Sequence, residues 1–296
     1  MAASSVGLVI VAYGCGPGEL IHGLDQWSAQ DRPPDATYVV ANAPLAVPDE
    51  LAQRIHILRP GTNLGFGGGV NLAADAAAAD AHTHLLISNL DIEILSTTVL
   101  AKLLDGLNKT PEAAFASPGI VMGPDRGLIW YRGGRVLRPA WISRHPGIGR
   151  RWARPSLGLV RTGFFSGCCA LIDLPRFRAM GGFDETLFMY YEEVEVAERA
   201  ATRGWYSLLV DEPLVFHAKP GRGFNPNEAY WHARNCALLL DRHERGVRHS
   251  VGRIIQWAAT PLQMRRCATS TIRAAYLAGL RRQPPPAGIV GPLKAG

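Results

Sequence analysis

Val6-Gly7-Leu8-Val9-Ile10-Val11-Ala12-Tyr13, closed by Gly14, Gly16, Pro17 and Gly18, is the stretch that decides the fold. An unbroken apolar run of strand length, stopped by turn residues, reads as a strand buried on both faces. Outward from it, a helix-like stretch covers Glu19 to Gln30, and Thr37 to Ala41 and Arg54 to Leu58 repeat the strand signal. An alanine-rich helix over Val70 to Ala81, a strand over His84 to Ser88 and a helix near Thr97 to Leu107 follow. This rhythm predicts an α/β fold with a mostly parallel, Rossmann-like central sheet flanked by helices, and ligands at the carboxyl ends of its strands.

After Ala113 the pattern changes to shorter strands and glycines, and Ile129 to Arg161 reads as a mobile arginine-rich loop. Helix signals return at Glu192 to Arg203 and Pro226 to Arg245. Val251 to Arg282, with Pro261 inside it, reads as two further helices, and the proline-rich remainder as a frayed tail. No internal repeat is visible.

A chain of 296 residues with 47% hydrophobic and 19% charged residues can bury a full core, which excludes a disordered protein. Five cysteines (Cys15, Cys168, Cys169, Cys236, Cys267) form no CxxC pair, so neither a disulfide framework nor a zinc spacing is suggested. A reducing cytoplasm is the simpler location. The N-terminus lacks a basic leader, and no span of about 20 apolar residues occurs; the expectation is a cytoplasmic protein, soluble or peripheral on the inner face of the plasma membrane.

The net charge of +6 conceals an asymmetry. Arg126 to Arg161 carries nine arginines and no acid, and Asp241 to Arg282 nine arginines against Asp241 and Glu244, which leaves the remainder acidic. Basic segments flanking an acidic body suit acids that hold a metal and arginines that meet phosphates or a membrane surface; solvated surface arginines give the same pattern.

Four segments could carry chemistry. Ser88-Asn89-Leu90-Asp91-Ile92-Glu93 puts hard oxygen ligands at a strand's carboxyl end, where they can hold a divalent cation, although Asn and Asp also serve ordinary turns. Asn63-Leu64-Gly65-Phe66-Gly67-Gly68-Gly69-Val70-Asn71 leads into a helix whose amides favour anions; its spacing is not the dinucleotide fingerprint. Gly181-Gly182-Phe183-Asp184-Glu185, then Tyr190-Tyr191-Glu192-Glu193-Val194-Glu195, places carboxylates at a helix start, suited to a general base or simply to the helix dipole. His217 ends the run Leu214-Val215-Phe216 and matters only if it reaches Asp91.

In this order the segments resemble glycosyltransferase family 2, in particular its rhamnosyltransferase-like branch, from about Val6 to Leu240. The series VIVAY, NLGFGGGVN, NLD, GGFDETLFMYYEEVEVAERAATRGW, VFH and YWHARN carries the resemblance. It implies an A-type glycosyltransferase fold, a divalent metal (Mn2+ or Mg2+) and inverting transfer from a nucleotide diphosphate sugar of UDP or dTDP type to a glycan or lipid-linked acceptor, with a role in polysaccharide and cell wall biogenesis. Asn89 and Asp91 fall at the metal triplet, with Asn in place of its first Asp, and His217 at a third ligand. Glu193 falls at the second acid of the base motif, leaving the base between Glu193 and Glu192. Tyr13, Asn42 and Asn63 match positions lining the nucleotide pocket, and Gly65, Asn71 and Asn89 belong to the same cofactor-binding set; Ala41 stands where relatives carry Asp. Arg234 and Asn235 are expected on the acceptor side.

The resemblance also divides the chain into a catalytic domain over 1–245 (nucleotide-sugar half 1–112, acceptor half 113–245), a helical extension over 246–282 and a flexible tail over 283–296. Ile254, Ile255, Trp257, Leu262, Met264, Ile272, Tyr276, Leu277 and Leu280 of the extension, with Arg253, Arg265, Arg266, Arg273, Arg281 and Arg282, either meet an anionic membrane or pack on protein. Two rivals are a catalytically silent glycan-binding relative and a basic nucleic-acid-binding protein. The acidic body and the absence of interleaved aromatics argue against nucleic acid.

Overall fold

A computed structural model describes residues 4–153, 155–218, 225–263, 269–281 and 289. Leu262, Met264, Arg265, Arg266 and Arg282 of the extension fall outside the described side chains.

The first half forms β1 (Val6–Ala12), α1 (Pro17–Ser28), β2 (Ala36–Ala41), α2 (Asp49–Ala52), β3 (His56–Leu58) and α3 (Gly65–Ala79). It continues through β4 (His84–Ser88), β5 (Ile92–Ile94) and α4 (Val99–Lys109). The second half opens with β6 (Ala113–Met122), β7 (Leu128–Tyr131), β8 (Arg135–Leu137), β9 (Ile142–Arg144) and β10 (Leu159–Thr162). Then follow β11 (Cys169–Asp173), α5 (Leu174–Ala179), α6 (Glu192–Ala201) and β12 (Tyr206–His217). Three helices close the chain: α7 (Pro226–His243), α8 (Gly246–Gln263) and α9 (Thr269–Arg281).

The main sheet runs β10-β12-β6-β11-β4-β1-β2-β3, with β5 beside β12 and β7 beside β6. β4, β1, β2 and β3 pair in parallel, as do β6 and β12, while β11, antiparallel to both β4 and β6, joins the two groups. The carboxyl ends of β1, β2, β4, β6 and β12 therefore share one edge. Alternation along β1 sends Val6, Leu8, Ile10 and Ala12 to the side of α1 and α4, and Val9 to the side of α3, α5 and α6.

Two expectations change. α3 begins at Gly65, five residues before the expected Val70, because each glycine of the run lets the helix start close to a neighbour. A Cβ on Gly65 (φ +74°) would stand 2.1 Å from the Phe188 carbonyl oxygen, and one on Gly69 2.9 Å from Val11. The arginine-rich stretch is not a structureless loop: it contains β7 to β10. Arg132 pins it to the sheet through a two-pronged ion pair with buried Asp211 (2.6 and 2.8 Å) and a bond to the Pro155 carbonyl.

The helical extension packs as part of the body. Gly279 of α9 lies against the Arg234 carbonyl, and Gln256 of α8 donates to the carbonyls of Ala140 and Cys236 (2.7 and 2.8 Å). Ile272 and Tyr276 are buried, whereas Ile254, Ile255, Trp257 and Leu277 face solvent.

Candidate active site

α1 holds the end of β4 in place. The Trp27 indole donates to Ser88 Oγ at 2.8 Å, and Ser88 Oγ donates to the Asn89 carbonyl. Gln26 accepts from Ile94 N–H at 2.7 Å, and Asn89 N–H bonds the Cys168 carbonyl at 2.9 Å. Asp91, braced on both sides, points out half-exposed from the turn between β4 and β5.

β5 pairs antiparallel with the end of β12, with His217 opposite Ile92, and this register brings His217 Nε2 to 3.7 Å from Asp91 Oδ2. The His217 ring is buried and rests on Trp130 (centroids 4.9 Å), whose other neighbour is His145 (4.7 Å). His145 is held by the Trp130 carbonyl, and burial pushes its imidazole down to about 4, so it is neutral at ordinary pH.

The separation of 3.7 Å fits a shared cation, since two ligands each about 2.1 Å from one ion lie roughly 3 to 4.2 Å apart. Among the described residues no group of three or more His, Cys, Asp or Glu side chains gathers for a metal. Asp91 and His217, with Asn89 nearby in the chain, thus form an incomplete set of the kind that takes its remaining oxygens from substrate phosphates and water.

Tyr13 follows β1 and is exposed. Asn42, Asn63 and Asn71 spend their amides on protein. Asn42 Nδ2 donates to the Gly65 carbonyl at 2.8 Å, and Asn63 Oδ1 accepts from Gly65 N–H at 2.9 Å. Asn71 bonds both backbone groups of Phe183 (2.8 and 2.9 Å). These residues shape the mouth of α3 and the Gly181–Glu185 turn, so Gly65 and Asn71 have structural duties that their place in the motif did not reveal.

The acid pair stands on an unusual turn. Phe188, Tyr190 and Tyr191 all have positive φ (61°, 70° and 76°), a conformation that costs a non-glycine residue about 1–3 kcal/mol. Asn235, fully buried in α7, pays out its amide to the carbonyls of Leu187, Met189 and Tyr190 (2.8, 2.9 and 2.8 Å) and so holds the turn. Arg234 donates to the Thr186 carbonyl and to Asn235 Oδ1. Both residues, expected to line the acceptor side, are buried braces of this turn.

Glu192 is buried against Gly67, with its Oε1 lacking a hydrogen-bond partner. Burial, then the neighbouring Glu193 charge, pushes its carboxyl well up, partly offset by the amides of Glu192 and Gly67. Glu193 is partly exposed, and burial raises it too.

Two routes connect the acids to the Asp91 end. The Glu193 charge acts on Tyr131, whose ring meets His145 in the stack behind His217. Tyr190 feels both Glu192 and Cys168, and the Cys168 carbonyl receives Asn89 N–H. One edge of the sheet thus carries a cation-competent pair and a carboxyl pair raised into the range of a general base.

No family model matches the chain. N-acetylglucosaminyl-diphospho-decaprenol L-rhamnosyltransferase from two strains of Mycobacterium tuberculosis (CDC 1551 / Oshkosh and ATCC 25618 / H37Rv) is 30% identical over 262 residues, which cover 80% of this chain and 84% of the relative. Among solved structures, GalNAc-T7 with UDP, GalNAc and Mn2+ superposes with a TM-score of 0.62 at 12% identity, over 95% of this chain and 56% of that one. The mannosyltransferase PcManGT from Pyrobaculum calidifontis, in complex with GDP-Man and Mn2+, gives 0.56 at 16% identity, over 98% and 77%. These likenesses show that the fold is the A-type glycosyltransferase fold.

Proposed function

The chain belongs to the glycosyltransferase family of the mycobacterial rhamnosyltransferases, and from that premise we propose an inverting transfer of a sugar, rhamnose for preference, from a UDP or dTDP donor to a hydroxyl of a lipid-linked glycan. The observation that supports it most is the approach of His217 to Asp91 from the far end of the domain, beside a raised acid pair.

Asp91 and His217, with Asn89, would hold Mn2+ or Mg2+, which neutralises charge on the departing diphosphate. Tyr13 lies open at the end of β1, where a nucleoside can rest on its ring. Glu193, the more accessible acid, takes the proton of the acceptor hydroxyl as that oxygen bonds to the anomeric carbon; the bond from that carbon to the diphosphate oxygen breaks, and the nucleoside diphosphate leaves. Glu192 stays behind it against Gly67 and sets the local charge.

A panel of nucleotide sugars, scored by manganese-dependent thermal stabilisation and slow hydrolysis, tests this reading. One UDP or dTDP sugar should stabilise the protein only with the metal, and Asp91→Ala should abolish that stabilisation while leaving the fold intact. Undiminished manganese dependence in the variant overturns the metal assignment.

The proposal extends to peripheral contact with an anionic membrane and a place in cell wall polysaccharide synthesis. On α8 the face opposite buried Gly252 and Gln256 is apolar where solvent would call for polar residues: Val247, Val251, Ile254 and Trp257 are all exposed, with Arg248 and Arg253 at its margins. Among the described residues no helix is long and apolar enough to cross a membrane. Ile254→Glu combined with Trp257→Glu should abolish co-sedimentation with phosphatidylglycerol vesicles; unchanged sedimentation removes the membrane contact. The double substitution is the right probe because cutting the chain after Ser250 would strip the cover from α7.

A further inference from the structure

A cavity of about 550 Å³ lies between α6, the β8 segment and the β10–β12 edge, away from the metal pair, with Ala197, one helical turn after Glu193, in its wall. Its volume is in the range of small-molecule sites. Ser207, which lines it, is the second residue of β12, while His217 is the last; at about 3.3 Å per strand residue the two stand roughly 30 Å apart, at opposite edges of the sheet.

The walls carry an excess of positive charge. Arg132, Arg135, Arg138 and Arg161 line the cavity against one carboxylate, Glu198. Arg132 is fixed by Asp211 and Arg138 by Glu198, so these two are held rigid. Among the described residues no carboxylate pairs with Arg135 or Arg161, and the Arg161 guanidinium lies over the Tyr206 ring, 4.5 Å from its centre. That leaves two guanidiniums, one mounted on an aromatic face, with their ion-pairing capacity unspent.

A second observation is independent of charge. Trp205 and Tyr206 add flat apolar surface, and Gly133, Gly134 and Gly163 expose backbone.

We propose that this cavity is a second ligand site, separate from the donor site, for a small anionic saccharide bearing a carboxylate or a phosphate. The guanidiniums of Arg135 and Arg161 meet the negative group, and the aromatic wall meets the sugar's C–H face. A glycan-building enzyme with such a site can hold a charged sugar of its growing product away from the metal pair.

Calorimetric titration of the full chain, with saturating UDP or dTDP and manganese to fill the donor site, tests it. The probes are a hexuronic acid, a hexose phosphate, inorganic phosphate and a neutral methyl hexoside. The hexuronic acid or hexose phosphate should bind at least tenfold tighter than the neutral hexoside and than phosphate alone. Arg135→Gln with Arg161→Gln should weaken that binding at least tenfold, with donor hydrolysis unchanged. Absence of binding by any probe, equal binding by the neutral hexoside, or full affinity in the double variant overturns the site. Phosphate binding as tightly as the sugar phosphate removes the saccharide, and loss of donor hydrolysis in the double variant removes the separateness.

Discussion

Asp91 and His217 reach the site from the ends of regular strands, whereas Glu192 and Glu193 reach it from a turn with three non-glycine residues at positive φ. The first pair is positioned by register: once β5 lies against β12, His217 has nowhere else to be. The second pair is positioned against local preference, and α7 holds the turn from outside through Asn235 and Arg234, as does Phe66 N–H of α3 through the Phe188 carbonyl. The difference teaches that the cation pair is as stable as the sheet, while the acid pair depends on hydrogen bonds supplied by other elements, three of them from the Asn235 amide. Burial separates them as well. Asp91 is open to solvent, suiting a group that must meet phosphates, and the acids are sheltered, suiting groups that must exchange a proton near neutrality.

The largest effect that divides the two pairs is expected from Glu193→Gln. Transfer should slow roughly a hundredfold or more, with donor and manganese affinity unchanged, because only proton removal is lost. If Glu192→Gln causes the loss and Glu193→Gln does not, the base is the inner acid.

Asn235→Ala should come next. Removing its amide leaves three carbonyls short of a donor at a buried position, a cost of about 1–3 kcal/mol, and frees the turn beneath the acids. The expected result is a lower melting temperature and about tenfold slower transfer, with manganese-dependent donor binding retained. Equal loss of donor binding would show that the two pairs are one cooperative unit and break the comparison.

The sheet was legible because its signal is local: the apolar run of β1 and the strand over His84 to Ser88 identify themselves, and the resemblance to family 2 directed attention to Asp91, Glu193 and His217. The braces were not legible. Asn71 and Asn235 look like ligand-facing amides in sequence, and only the fold shows the first bonding Phe183 and the second bonding the turn. Trp130 carries no motif, yet its ring is what His217 rests on. The arginine-rich stretch misled for a related reason: Arg132 has its partner, Asp211, on β12, far along the chain, and an arginine whose acid is distant reads as solvated. For the glycines of α3 helix propensity pointed the wrong way, because their neighbours, Phe188, Glu192 and Val11, lie outside the helix.

The smallest effect concerns Glu192 and is the one whose sign the comparison fixes. Its folded carboxyl is raised above the ordinary 4.5 by burial and by Glu193, so the folded state holds its proton more tightly than the unfolded chain does. Below the ordinary value both states are protonated and burial carries no charge penalty; as pH rises through the raised folded value, that stability is lost. Glu192→Gln cannot ionise and escapes the loss. The variant should therefore melt at the same temperature as the parent near pH 4 and a few degrees higher near pH 8.5. Because Glu193 gives up its proton before Glu192 and is raised by its own burial, the acid limb of the transfer profile, set by Glu193, should stay in place in the variant. Thermal melts across that range, read beside pH profiles of transfer, check both outcomes. A melting gap that is widest at pH 4, or a limb that moves, would mean that Glu192 is not the outlying buried acid that ionises after the base, and the contrast between an open cation pair and a sheltered acid pair would lose its electrostatic half.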